Sequence, residues 1–380
     1  MRQKNRNKIR FLAFYLPQFH PIPENDRWHG KGFTEWTNIV KTTPRFNNHY
    51  QPKLPADLGF YDLRVPEIRS QQAKLAKNHG IDGFVYYHYW FSGKRLLNRP
   101  FDEVLKLKKP NFPFCLCWAN EGWSKKWGPT YGSNAKDKTL NQVLIEQKYS
   151  FKDDLKHIRW LSNVFKDKRY IRINNKPLFI VYRPSLLPNP KKTIETWRKE
   201  ARRLGIGEIY LCMIHSFPED WQDPREWGFD AAIEWQPDRR LRESLNNQKR
   251  WQKSVYKNFI NKDGSIKEFL YSYKTTIKLS LKQALPKYKR YSCIMPSWDN
   301  SARRKSGSTI YVDSTPQLYQ QWVLNLLKQT KPYSKEENII FINSWNEWAE
   351  GCYLEPDNKW GDQYLKAHQK AVELYNNSSQ

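Results

Sequence analysis

No stretch of this chain is apolar for long enough to span a membrane, which excludes a transmembrane helix as its organising element. No apolar run is followed by a glycine-rich phosphate fingerprint or a Walker loop, which counts against a nucleotide-binding open sheet. Cysteine is scarce, five in 380 residues, with no Cys-x-x-Cys and no histidine partner at zinc spacing. Cys115 and Cys117 lie two apart in an apolar run, share one face of a strand, and read as core thiols. No metal or cofactor is expected, and the setting expected is reduced and cytoplasmic. The basic run from Arg2 to Arg10 precedes only a short apolar segment, Phe11 to Leu16, closed by Pro17 with no small-residue cleavage site. It reads as a first strand rather than a signal peptide.

Acids are in deficit as well. The formal charge of +27 invites a nucleic-acid reading, yet lysine and asparagine abound throughout and no recognisable nucleic-acid module is present. No nucleic-acid partner is expected. The excess is uneven: from Arg239 to Arg290, fifteen Lys or Arg face three acids, Glu243, Asp263 and Glu268.

What is present is a recurrence. Eight apolar runs of strand length cover 10–19, 81–90, 113–120, 176–183, 208–216, 230–237, 291–299 and 339–348. They are continuous rather than alternating, as parallel strands covered on both faces are. Between them the pattern predicts helices at 66–78, 141–164, 193–204, 316–328 and, after the last run, 362–375. Connections after the second and fifth runs are shorter. Eight strands alternating with helices predict an α/β fold, a (β/α)8 TIM barrel occupying 1–380 as one domain. A basic helical excursion, 238–290, is expected between strands six and seven.

The ends of these runs are rich in groups that bind or act on sugars. They carry Tyr15 and His20; Tyr87, His88 and Trp90; Trp118, Asn120 and Glu121; Tyr182; Trp235; and Trp298. Barrel enzymes place their working groups on that rim. The loop after the first run adds Glu35 and Trp36. The eighth run ends in Asn346-Glu347-Trp348-Ala349-Glu350-Gly351, two carboxylates three residues apart. Such a pair suits glycosidic chemistry, one group acting on the departing oxygen and the other at the sugar carbon. Bringing the two together requires the strand to curl after Trp345, with Gly351 helping it to do so.

The segments Phe14–His20, Gly32–Trp36, Tyr87–Trp90, Trp118–Glu121 and Trp345–Gly351 resemble the WbsX-type glycosyltransferases, associated with bacterial O-antigen and capsule synthesis. That family is similar in turn to glycoside hydrolase family 99, the endo-α-mannosidases, which are (β/α)8 barrels. The resemblance runs from the first strand to the last. It implies that Glu347 and Glu350 are catalytic. In the hydrolases the first glutamate assists attack by the sugar's own 2-hydroxyl, and the second serves as acid, then base. Those hydrolases carry Glu-Trp-His-Glu; Ala349 stands at the histidine position here, which weighs against mannosidase specificity more than against the pair.

Asp-x-Asp is absent, so the usual metal anchor of nucleotide-sugar transferases is missing. Three readings stay open: a transferase of surface-polysaccharide synthesis, a retaining endo-glycosidase, and a non-catalytic glycan-binding barrel. The first implies a sugar donor and a glycan or lipid-linked acceptor. Within the excursion, 266–285 reads as an amphipathic helix with Lys267, Lys274, Lys278 and Lys282 on one flank. Peripheral contact with the anionic inner face of the cell membrane is the functional reading of that flank.

Overall fold

The computed structural model describes residues 8–124, 142–246, 268–304 and 307–378. Each of the eight apolar runs forms a strand. They are β1 (Arg10–Tyr15), β2 (Gly83–Phe91), β3 (Phe114–Trp118), β4 (Lys176–Val181), β5 (Tyr210–His215), β6 (Ala231–Glu234), β7 (Arg290–Ile294) and β8 (Ile339–Ile342). All pair in parallel with their neighbours in sequence, and β8 closes the ring on β1 with Leu12 opposite Phe341. The expected (β/α)8 barrel is the fold. Its strands are buried on both sides, which is why their sequences do not alternate.

The helices follow from local signals. α1 (Pro66–Asn78) and α2 (Arg99–Leu107) flank β2. α3 (Phe151–Phe165) starts where Ser150 accepts the Asp153 amide at 3.2 Å, so the segment expected as a helix from residue 141 is helical only from 151. Val143–Ile145 is instead a short strand paired with Trp123–Ser124. α4 (Pro190–Arg203) is capped by Asn189, with proline at its first position. The link between β5 and β6 carries only two 3-10 turns, Pro218–Asp220 and Pro224–Trp227.

The basic excursion is not wholly helical. After Glu234 come a 3-10 turn, Arg239–Leu241, and a short helix, Arg242–Asn246. The expected helix over 266–285 splits at Ser272. Phe269–Ser272 is a strand paired in parallel with Thr309–Val312, and α5 (Tyr273–Lys282) follows, capped by Ser272. Lys274, Lys278 and Lys282 are exposed on α5 while Tyr273 and Ile277 are buried; Lys267 lies outside the described residues. α6 (Pro316–Gln329) and α7 (Gln363–Asn377) complete the outer layer. All five cysteines are free and buried. Among the described residues, no helix is long and apolar enough to cross a membrane.

Candidate active site

The chain curls directly after β8. Asn346–Glu347 pairs antiparallel with Cys352–Tyr353, and a 3-10 turn, Trp348–Glu350, reverses the direction between them. Gly351 ends the turn with φ 55°, in the left-handed region. A Cβ there would also meet the Asp299 carbonyl oxygen at 2.9 Å. Glycine is required twice over, once by torsion and once by space.

This curl brings both glutamates to one cation that sequence reasoning missed. Arg303 Nη2 donates to Glu347 Oε2 and Arg303 Nη1 to Glu350 Oε1, each at 2.9 Å. Nη2 also reaches Glu35 Oε1 at 3.3 Å. One guanidinium thus gathers three carboxylates from residues 35, 347 and 350. Burial raises the Glu347 carboxyl most, Glu350 and Glu35 add to that, and Arg303 opposes them. Burial likewise raises Glu35, again opposed by Arg303. Burial works against the Arg303 charge, but its three carboxylates outweigh that and raise its pKa. Like charges packed this closely do not all ionise cheaply.

Arg303 is placed by a second buried acid. Asp299 accepts the Ser301 amide at 3.0 Å and so caps the 3-10 turn Asn300–Arg303. His49 and Gln51 hold the other Asp299 oxygen at 2.8 and 2.7 Å. Burial disfavours its charge, yet Lys53 and the bonds from His49 and Ser301 keep the carboxyl well below the usual range. From the other side, Glu355 accepts four bonds, from Trp345 and Trp348 indoles, Tyr61 and Gln72, at 2.6–2.8 Å. The glutamate turn is therefore tied down at its back.

Above the cluster lies a cavity of about 540 Å³ on the C-terminal rim of the barrel. That volume suits a small-molecule or saccharide ligand. Its walls include Tyr87, Tyr89, Tyr182, Trp235, Trp298 and Glu121. Phe14 packs on Tyr87 and Trp235 beneath them, with centroids 5.7 and 4.9 Å away. The excursion supplies Arg239, Arg242, Phe269 and Tyr271, so its first and last described parts do stand beside the site.

The sequence pattern of the family described as Glycosyltransferase WbsX matches residues 11–368. The chain belongs to this family. Two relatives, both the uncharacterized protein WxcX of Xanthomonas campestris pv. campestris (strains B100 and ATCC 33913), are 41% identical over 362 residues. The match takes in 95% of this chain and 49% of each relative, so the chain spans about half their length. Among solved structures, the GH99 endo-alpha-mannosidase from Bacteroides thetaiotaomicron aligns over 97% of this chain and 98% of its own, with TM-score 0.56 and 14% identity. A glycoside hydrolase-like protein aligns over 97% and 94%, with TM-score 0.56 and 15% identity. These likenesses establish a shared barrel.

Not every expected site residue of this WbsX-family chain faces the cavity. Glu35, Tyr87, Glu121, Tyr182, Trp235, Trp298, Glu347 and Glu350 line it. Nine others point elsewhere. Tyr15 turns outward and donates to Gln72 on α1 at 2.6 Å. His88 and Trp90 face α3, bonding His157 and Asp153 at 3.0 Å each. Trp118 is buried beside His157 and Trp197 and donates to the Trp90 carbonyl. Asn120 clasps the Arg183 backbone at both its amide and carbonyl, and Asn346 does the same for Leu16. Trp36 packs between Phe19 and Trp348, and Trp348 stacks on Tyr353 at 3.8 Å. His20 is buried on the Pro17 carbonyl. These nine build the walls behind the site. Tyr89, two residues from Tyr87 on the same strand face, was missed, although the period of two gives it away.

Proposed function

We propose that this protein is a glycosyltransferase of bacterial surface-polysaccharide synthesis, with Glu347 and Glu350 as its acid–base pair. The observation that carries the reading is the single Arg303 guanidinium shared by both carboxylates on the cavity floor. In the reading that the family pattern implies, Glu347 takes a proton from the sugar's 2-hydroxyl. Glu350 protonates the departing oxygen and then deprotonates the incoming one. Trp235, Trp298 and the tyrosine wall offer flat apolar faces to sugar rings. Glu35 and Glu121 supply acceptors for sugar hydroxyls. The acceptor is a glycan or a lipid-linked saccharide at the inner face of the cell membrane, approached through the exposed lysines of α5.

A retaining endo-glycosidase is the second reading, favoured by the barrel shared with the family 99 hydrolase over nearly the whole chain. The two differ in whether a sugar hydroxyl or water attacks. One assay following both release of reducing ends and transfer to an added acceptor separates them. In either case Glu347→Gln and Glu350→Gln should each lower turnover by about 10²–10⁴-fold with the melting temperature preserved. Near-normal rates in both variants would remove the pair from the mechanism.

A further inference from the structure

Most charged groups in the cavity are matched. Arg303 has its three carboxylates, and Arg183 bonds Glu121 at 2.9 Å and Asp220 at 2.8 Å. Arg239 and Arg242 differ. Both line the cavity, as does the exposed Arg304, and among the described residues none of the three forms an ion pair; only Arg239 and Arg242 are partly buried. The Arg239 guanidinium lies 3.8 Å from the Phe217 ring centroid, as does that of Arg183, so the ring holds two cations in place. Arg242 sits beside the Tyr311 hydroxyl, and its Nε is buried without a partner. Burial, then the neighbouring Arg242 and Arg183, lowers the Arg239 pKa against an opposing pull from Tyr182 and Glu121.

Two preorganised guanidiniums without carboxylates form a seat for an anion. Its position within the site is informative. Tyr182, Glu350, Arg239 and Arg242 all line the same cavity. An anion on Arg239 therefore shares the cavity with Glu350, the group proposed to serve the departing oxygen. We propose that Arg239 and Arg242 bind a phosphoryl group of the glycosyl donor, whose sugar arrives on a phosphate or diphosphate rather than on another sugar. This rests on the transferase reading of the same cavity. Overall, the bond from the anomeric carbon to the phosphate oxygen breaks with its electron pair on the phosphate. An acceptor hydroxyl oxygen takes that carbon, and its proton leaves through the carboxylate cluster. Two positive charges suit a diphosphate better than the single negative charge of an acidic sugar.

Calorimetric titration of the full chain with inorganic pyrophosphate tests this. Binding is expected in the wild type, weaker by about tenfold or more in Arg239→Gln and in Arg242→Gln, each checked for an unchanged melting temperature. It should persist in Glu347→Gln, so a failed acid–base assignment leaves this result standing. Arg225→Gln, which alters an exposed arginine that pairs with Asp223 and does not line the cavity, should bind as the wild type does. Nucleoside diphosphates and a polyprenyl phosphate in detergent, used as competitors, tell a nucleotide donor from a lipid-linked one. No pyrophosphate binding, equal loss in Arg225→Gln, or competition by glucuronate alone would overturn the proposal.

Discussion

Arg303 sets how readily Glu347 ionises. Burial holds that carboxyl above its ordinary range, and the guanidinium is the main force pulling it back. If Glu347 acts as base, kcat/KM rises with pH as the group loses its proton. Removing the cation disfavours the carboxylate further, so Arg303→Gln should move the acid limb of the pH–rate profile to higher pH. A limb that stays in place would mean that another group titrates there. Nothing in the sequence marks Arg303, one basic residue among 65, as the partner of glutamates 44 and 47 positions later. Its role depends on a turn capped by Asp299, which only the folded chain brings against residue 350. That Glu347 and Glu350 would stand at the cavity was legible because they follow the last apolar run, at the rim of the barrel.

At the level of strands and turns, the eight barrel strands were legible because double burial leaves an unbroken apolar signature. Facing was not, because the rim residues were read without their alternation. On β2, Tyr87 and Tyr89 enter the cavity while His88 and Trp90 turn to α3. The division among tryptophans makes a measurable contrast. Trp235→Ala and Trp298→Ala should weaken saccharide binding more than they lower the melting temperature. Trp118→Ala, in the fully packed layer, should cost about 3–5 kcal/mol of stability. The reverse ordering would reassign these walls. The helix expected over 266–285 failed for a different reason: the partner that makes Phe269–Ser272 a strand, Thr309–Val312, lies some 40 residues away. Gly351 closes the turn that carries the pair. Gly351→Ala should cost about 1–3 kcal/mol for the left-handed backbone alone, with crowding against Asp299 added, read by denaturant unfolding.

For the whole molecule, charge distribution gives the test. Lys274, Lys278 and Lys282 project from one exposed flank of α5, and each contributes about 1 kcal/mol beside an anionic bilayer, screened by salt. Co-sedimentation with vesicles containing phosphatidylserine should be strong at low salt and lost when all three become glutamate. Equal retention on neutral vesicles would exclude the membrane role. The clamp of Arg303 on glutamates 35, 347 and 350 has one more consequence, in the order in which the chain is made. Glu35 is synthesised early and Arg303 late, but the catalytic candidates emerge only after β8, the strand that closes the barrel. A ribosome-bound chain that has reached residue 330 already carries seven strands and most of the aromatic wall, yet has neither a closed ring nor the candidate acid–base pair. Ring closure and both candidate carboxylates therefore arrive together, within the same dozen residues.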